Sequence, residues 1–416
     1  MRQYETYKNS EAQWVGKVPS NWKRTRIKFL LSRSSAGVWG DDEKGDANDI
    51  ACFRVADFDY EHGCLSFDKL TYRNIEPKQL QGRMLSLGDL LIEKSGGGDA
   101  TPVGRVVRYN YADNATCSNF VHSVSINNNC LSDYLYYYFF AMYANKENLL
   151  YFNQTTGIQN LKIGDYLSQT IFLPPLSEQR EISSYLDKKC AEIHKAIATQ
   201  QKRIELLQEL RQNIITHAVT RGINPDAPLK DSGVKWIGMV PEHWEICAFK
   251  RKIVINNGRD YKEFLDSEIY PVMGSGGCFA YCSKYMYDGE AVLLGRKGTI
   301  DKPLYINGKF WAVDTMFYAV PKKDLNCKFA YYLALTFPFN YYSTSTALPS
   351  MTQSDLGNNP VAFPPLEEQH SIVTYIEAET AKLDKQIAKA NRQISLLQEL
   401  KQSIITEVVT GNRKVC

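Results

Sequence analysis

Two stretches of the chain place glycines and cations directly after a short apolar run. Gly88-Asp89-Leu90-Leu91-Ile92 leads into Glu93-Lys94-Ser95-Gly96-Gly97-Gly98, with Arg105 and Arg108 following. Gly289-Glu290-Ala291-Val292-Leu293-Leu294 leads into Gly295-Arg296-Lys297-Gly298-Thr299-Ile300-Asp301-Lys302. A strand ending in such a loop can bring backbone N–H groups and guanidinium forks to phosphates and base edges. A second pair of polar stretches is Thr155-Thr156-Gly157-Ile158-Gln159-Asn160 and Thr344-Ser345-Thr346-Ala347-Leu348-Pro349-Ser350, each just upstream of a Pro-Pro-Leu. The candidate binding residues are therefore Lys94, Ser95, Gly96, Arg105, Arg108, Thr155, Gln159 and Asn160 in the first half. In the second half they are Arg296, Lys297, Thr299, Lys302, Thr346 and Ser350. A solvated surface loop is the competing reading of each stretch.

Bond-making chemistry has no comparable signature. There is no GxxxxGK[ST] phosphate loop, and the glycine clusters do not match a dinucleotide fingerprint. Amino-methylation calls for Asn/Asp-Pro-Pro-aromatic, but Asn359-Pro360 continues as Val361-Ala362. Metal-dependent DNA cleavage calls for an acid followed by Glu-x-Lys on a strand. Asp89 precedes Glu93-Lys94, which are adjacent and would point to opposite faces. The six His show no HExxH or HxH spacing, and Cys278 and Cys282 form a lone CxxxC, so a metal site is not expected. The chain is expected not to be an enzyme by itself.

The elements that must position these loops come in duplicate. Trp14 to Trp22 returns as Trp236 to Trp244, and Pro174-Pro175-Leu176-Ser177-Glu178-Gln179 returns as Pro364-Pro365-Leu366-Glu367-Glu368-Gln369. The first pair is offset by 222 positions and the second by 190. From Ile204 to Thr220, 12 of 17 residues are identical to those 190 positions later, so the repeat continues well beyond the Pro-Pro-Leu motif. The repeat divides the chain into 1–173, 174–221, 222–363 and 364–416. The difference in offset falls wholly within the two variable regions.

Behind each Pro-Pro-Leu the apolar spacing predicts a long helix, about Ser177 to Thr220 and about Glu367 to Thr410. Leu186, Cys190, Ile193, Ile197, Gln200, Ile204, Leu207 and Ile214 follow a 4-3 rhythm interrupted at Arg211. Ile376, Thr380, Leu383, Ile387, Ala390, Ile394, Leu397 and Ile404 repeat it, interrupted at Lys401. Acidic first turns and the stops at Gly222 and Gly411 fit helix ends. Two matching seams in one chain predict that the helices pack on each other, the competing reading being a coiled coil that joins subunits of a homo-oligomer, with the polar seam positions Gln200 and Thr380 penalising wrong registers. The variable regions read as mixed: strands at Val121–Ile126, Ala291–Leu294 and Trp311–Val320, a hairpin turn at Asn307-Gly308, and buried helices at Leu131–Leu150 and Cys327–Phe337. The fold class is α+β: two globular mixed domains joined by two long helices.

Bulk properties set limits. A net charge of +3 gives no global basic field, so any basic surface is local. The ten cysteines fit reduced thiols, and neither a signal core nor a membrane span is visible, which points to a soluble, cytoplasmic protein.

The Trp frames, the Pro-Pro-Leu-x-Glu-Gln motifs with the helices behind them, and the segment Leu206–Gly222 running into Asn224-Pro225-Asp226 resemble the specificity subunit of type I restriction–modification systems. The resemblance covers the whole chain. Tyr270 to Gly277 through Asp314-Thr315 also looks like one common type of target recognition domain. His370 and Ser371 depart from the commoner Arg/Glu pair, which the first copy keeps as Arg180 and Glu181. The resemblance implies that each variable region reads one half of a bipartite, asymmetric site in double-stranded DNA. It implies that the two long helices pack as an antiparallel coiled coil, set the gap and dock two methyltransferase subunits, which two restriction subunits then join. It implies no cofactor on this chain: S-adenosylmethionine, ATP and Mg²⁺ would belong to the partners. Two other readings stay open at this point, the specificity subunit of a two-chain system that cuts on both sides of its site, and a coiled-coil adaptor without a DNA role.

Overall fold

The computed structural model describes residues 3–10, 12, 14–155, 157–339 and 349–415. The chain forms two compact units, one of residues 1–200 with 391–416 and one of residues 201–390. The boundary therefore cuts each long helix in two. The first long helix is Leu176–Arg221 and the second Leu366–Val409. Each begins on the Leu of Pro-Pro-Leu, because the prolines before it cannot continue a helix backwards. Gly222 and Gly411 follow the ends with φ of 75° and 73°, a conformation that glycine adopts without strain.

Within the first unit, the N-terminal half of the first long helix lies against the C-terminal part of the second. Ile182, Leu186, Cys190, Ile193 and Ile197 share one core with Ile404, Ile405, Val408 and Val409. Within the second unit the roles exchange: Ile215, Ala218 and Val219 share a core with Ile372, Val373 and Ile376. The helices thus run antiparallel in each unit. The interrupting cations turn out to be the polar contacts of this seam. Arg211 Nε lies 3.6 Å from Asp384, and Lys401 Nζ lies 2.7 Å from His194 Nε2. Both pairs occupy the same repeat positions. Thr380, by contrast, is satisfied by its own helix through Ile376 O at 2.7 Å, so it does not bond across the seam.

Each variable region builds its own sheet, on a plan that the sequences do not advertise. In the first unit, β1 (Leu31–Ala36), β2 (Leu90–Glu93), β3 (Val106–Arg108) and β4 (Val121–Ile126) form an antiparallel sheet in the order β1-β4-β2-β3. In the second, β5 (Ile253–Asn257), β6 (Tyr287–Gly295), β7 (Leu304–Ala312) and β8 (Met316–Pro321) take the order β5-β8-β6-β7. The order is the same. The second sheet is extended beyond β7 by Tyr270–Gly274 and Gly277–Cys282. The expected hairpin turn at Asn307-Gly308 is not formed. Both residues lie inside β7, paired with Glu290 and Gly289 of β6, because a nine-residue partner strand continues straight past them. The strand expected over Trp311–Val320 is broken between β7 and β8 at Val313–Thr315, and that turn matters below.

Each sheet is backed by a buried helix. α1 (Ser132–Ala144) buries Tyr134 to Phe139 without interruption, and the hydroxyls of Tyr134, Tyr137, Tyr138 and Tyr143 find partners. Tyr134 donates to Val409 O at 3.3 Å and Tyr137 to Asp187 of the first long helix at 2.7 Å. α2 (Cys327–Ala334) is the shorter counterpart, capped by Asn326, whose side chain accepts from Phe329 N. Among the described residues no helix is long and apolar enough to cross a membrane.

The repeated motif has a repeated task. Gln179 and Gln369 are buried. Each accepts 2.8 Å from the backbone N–H just ahead of the backing helix, at Leu131 and at Asn326. Each donates 2.9 Å to the first proline carbonyl of its motif, Pro174 or Pro364. Glu178 and Glu368 accept from Trp22 Nε1 and Trp244 Nε1 at 3.3 and 3.1 Å. One six-residue motif thus joins helix start, Trp frame and variable region.

His122 on β4 carries a pH prediction. Burial, with Lys94 nearby, lowers its pKa from 6.5 to about 4, and its Nε2 lies 2.8 Å from Ser34 Oγ. The unfolded chain protonates this imidazole near 6.5 while the folded chain holds it neutral. Stability is therefore present above pH 6.5 and is lost as pH falls toward 4. The difference amounts to about 2–3 kcal/mol at pH 4.5. Denaturant unfolding at pH 7 and 4.5 should show that much less acid loss in His122→Gln than in the parent; equal losses would remove His122 from the account.

Candidate nucleic-acid interface

In each unit the loop after one strand meets the stretch upstream of Pro-Pro-Leu. After β2, Lys94 N and Ser95 N both donate to Phe120 O, at 2.9 and 3.0 Å. After β6, Arg296 N and Lys297 N both donate to Thr315 O, at 2.8 and 3.3 Å. Leu161 N then donates to Lys94 O at 2.8 Å, and Met351 N to Arg296 O at 3.0 Å. Ser95 pairs with Asn160, and Lys297 bridges to Ser350. Asn160 and Ser350 are 190 positions apart, the offset of the long helices. The four stretches singled out in the sequence therefore collapse into two equivalent backbone sites, one per unit.

The side chains at these two sites differ sharply. In the first, Ser95 is buried and its Oγ donates to Asn160 Oδ1 at 2.7 Å. Gln159 is buried too, its Oε1 accepting from Val103 N at 3.1 Å. Gly96 pairs with Gln159 at φ 119°, and Lys94 is half-buried. In the second, Lys297, Thr299 and Lys302 are exposed and Arg296 is half-buried, its guanidinium reaching Asp314 O at 3.5 Å. The side chain of Thr155 and the whole of Thr346 lie outside the described residues.

Arg105 and Arg108 are held by protein carboxylates. Glu93 is buried at the end of β2 and receives Arg105 Nε at 2.9 Å and Nη2 at 3.3 Å, with Tyr60 O–H at 3.3 Å. The guanidinium stacks 3.6 Å over the Tyr60 ring. Burial opposes the charge on Arg105, and the Glu93 carboxylate more than offsets it, so its pKa is raised. Arg108 binds Asp187 of the first long helix at 2.9 Å and Asp133 at 3.2 Å, and stacks on Tyr136. Burial opposes its charge and the bond to Asp187 restores it, raising its pKa as well. Both arginines tie the domain together through protein carboxylates, Arg105 by Nε and Nη2 and Arg108 by Nη1.

The sequence scan missed the other side of each site. A cavity of about 420 Å³ lies beside Gly96, lined by Trp39, Arg54, Asn119 and Phe120. A wider cleft of about 670 Å³ in the second unit is lined by Asn256, Asn257, Arg259 and Gln353 among others. Their residues lie far apart in the sequence, so no local motif marks them. The remaining signal is weak: each region has a glycine soon after its first strand, Gly37 and Gly258. Among the described residues no group of three or more His, Cys, Asp or Glu is placed to hold a metal ion.

Comparison with known proteins agrees with this architecture. The family model described as type I restriction modification DNA specificity domain matches residues 85–205 and 242–394, one match per variable region with the helix behind it. A putative type I restriction enzyme MjaX specificity subunit of Methanocaldococcus jannaschii is 22% identical over 99% of this chain and 97% of its own length. The type I restriction enzyme EcoDI specificity subunit of Escherichia coli is 23% identical over 61% of this chain and 64% of its own. Among solved structures, a chain from a study of complex assembly and conformational transition of the type I R-M system superposes with TM-score 0.70 at 17% identity, covering 94% of this chain and 98% of that one. The HsdS subunit from Thermoanaerobacter tengcongensis gives TM-score 0.50 at 16% identity, covering 95% and 98%. Those two likenesses concern the fold. With the family model spanning well over half of the sequence in two copies, the chain belongs to the type I restriction–modification DNA specificity family.

Proposed function

We propose that this chain is the DNA-recognition subunit of a type I restriction–modification complex, with each unit reading one half of a bipartite site. The observation that carries the reading is the pair of equivalent backbone sites with unlike side chains. Identical scaffolds with different surfaces are what two different half-sites require. The exposed Lys297, Thr299 and Lys302 beside Arg296 supply the cationic, hydrogen-bonding loop on the second unit. The net charge of +3 suits a chain that supplies base readout while partners share the phosphate contacts.

The chain itself performs no bond-making step in this reading. Two methyltransferase subunits, with S-adenosylmethionine, dock on the long helices, and two restriction subunits with ATP and Mg²⁺ join them. The helices present apolar residues suited to docking. Leu206 and Leu210 are 54% and 47% exposed, and their repeat equivalents Leu396 and Leu400 are 45% and 46% exposed. Residues four apart share one helical face, and unpartnered leucines on such a face favour a partner helix.

Methylome sequencing of cells carrying the chain with its methyltransferase tests the proposal. A two-part adenine-methylation motif should be present with the chain and absent without it; an unchanged methylome rejects the reading. In the same assay, Arg296→Ala with Lys297→Ala should weaken recognition of one half-site by about ten-fold and leave the other half intact. Unchanged recognition would discard that loop.

A further inference from the structure

β5 and β6 run parallel to each other on either side of β8, so their C-terminal ends emerge together at the start of β8. The turn Val313–Thr315 holds both ends. Arg296 N donates to Thr315 O at 2.8 Å on one side. On the other, Gly258 N donates to Met316 O and Arg259 N to Ala312 O, each at 2.9 Å. A Cβ at Gly258 would lie 2.0 Å from Val313 O, so the chain passes the turn too closely for any other residue. Trp311 Nε1 adds a bond to Arg259 O at 2.8 Å. Arg259 is therefore fixed at the backbone beside the same turn that fixes the Arg296 loop.

The first unit repeats this backbone. Gly37 N donates to Val121 O at 3.1 Å and Val38 N to Cys117 O at 2.8 Å. Register along the paired strands makes Ser35, Ala36 and Val38 the counterparts of Asn256, Asn257 and Arg259. Three small or apolar residues in one unit thus correspond to two amides and a guanidinium at the matched positions of the other. Core packing cannot explain the difference, because Ala36, Asn257 and Arg259 are all exposed. Gln353 closes the same cleft, with one amide proton held by Ile255 O at 2.5 Å. Arg259 has no ion pair among the described residues, unlike Arg105 and Arg108.

We propose that the cleft along β5 reads base edges of the second half-site, with Arg259 and Asn257 as the reading groups and Asn256 and Gln353 as its positioned wall. The proposal rests on the DNA-recognition reading and adds to the Arg296 loop a second, opposite contact surface. A guanidinium fork matches O6 and N7 of guanine, and a carboxamide matches N6 and N7 of adenine, both in the major groove. The ligand is therefore the major-groove edge of a guanine or an adenine in duplex DNA.

The test uses the full chain co-expressed with its methyltransferase, as parent, Asn257→Ala, Arg259→Val and Arg259→Lys. Arg259→Val copies the first unit's residue onto the same backbone. The expected result is about ten-fold lower discrimination at one base position, within the half-site that the Arg296/Lys297 double variant weakens. The other half-site and the gap should be retained, which also reports that the chain has folded. Lysine should not restore the preference, because it keeps the charge but not the fork. An unchanged motif in all three variants overturns the proposal. So does methylation weakened evenly across both half-sites, which marks a phosphate contact. If the parent chain yields no bipartite motif, it is the recognition reading that fails.

Discussion

Trp244→Ala should destabilise the second unit by about 3–5 kcal/mol. The indole is 1% exposed, and its Nε1 donates to Glu368 Oε1 at 3.1 Å. Its ring lies against the end of the first long helix, where a Cβ at Gly222 would meet it at 3.3 Å. Truncation leaves a cavity among a frame, a helix start and a helix end, three elements that cannot collapse independently. It also leaves the Glu368 carboxylate without its indole partner. Trp22 stands in the same relation to Glu178 and Gly411 in the first unit. The two substitutions should therefore act additively, as distant sites without shared partners do. Urea unfolding of both single variants and the double variant measures this. A loss below about 1 kcal/mol would mean that the frames are not anchors.

Removing one heptad from both long helices, Ile197–Arg203 and Ile387–Gln393, should shorten the recognised gap by about 3 base pairs. Seven residues at ~1.5 Å each remove about 10 Å, and duplex DNA rises ~3.4 Å per base pair. A matched deletion keeps the 4-3 rhythm, so the seam can close again, whereas a deletion in one helix alone leaves Arg211–Asp384 or Lys401–His194 out of register. The readout is the methylation motif: both half-sites kept, with a new spacing. The original spacing in a methylating variant would show that the helices are not the ruler. The single deletion is expected to abolish methylation.

Several features could be read directly from the chain. The long helices announce themselves through a sustained seam, a Pro-Pro start and a Gly stop, all local signals. The paired loops were also visible, since glycine and cations after an apolar run need no distant partner to be noticed. What each loop residue does was not visible. Arg105 and Arg108 looked like outward cations, but their carboxylate partners, Glu93 and Asp187, lie 12 and 79 residues away. Gln159 looked like a polar contact, and a backbone N–H at Val103 claims it. The Asn307-Gly308 turn failed for the same reason: a local turn signal lost to the longer strand pairing offered by β6.

The sequence alone determined the repeat, the two long helices and the α+β class, because each rests on periodicity and local residue pattern; the family was legible through the resemblance of the Trp frames and the Pro-Pro-Leu-x-Glu-Gln motifs. Only the tertiary structure decided that the two variable regions share one strand order and one set of turn hydrogen bonds. Backbone pairing constrains main-chain atoms and leaves exposed and half-buried side chains free to change, so Ser35, Ala36 and Val38 can stand where Asn256, Asn257 and Arg259 stand without disturbing the sheet. That freedom erased the similarity from the sequence while the fold kept it.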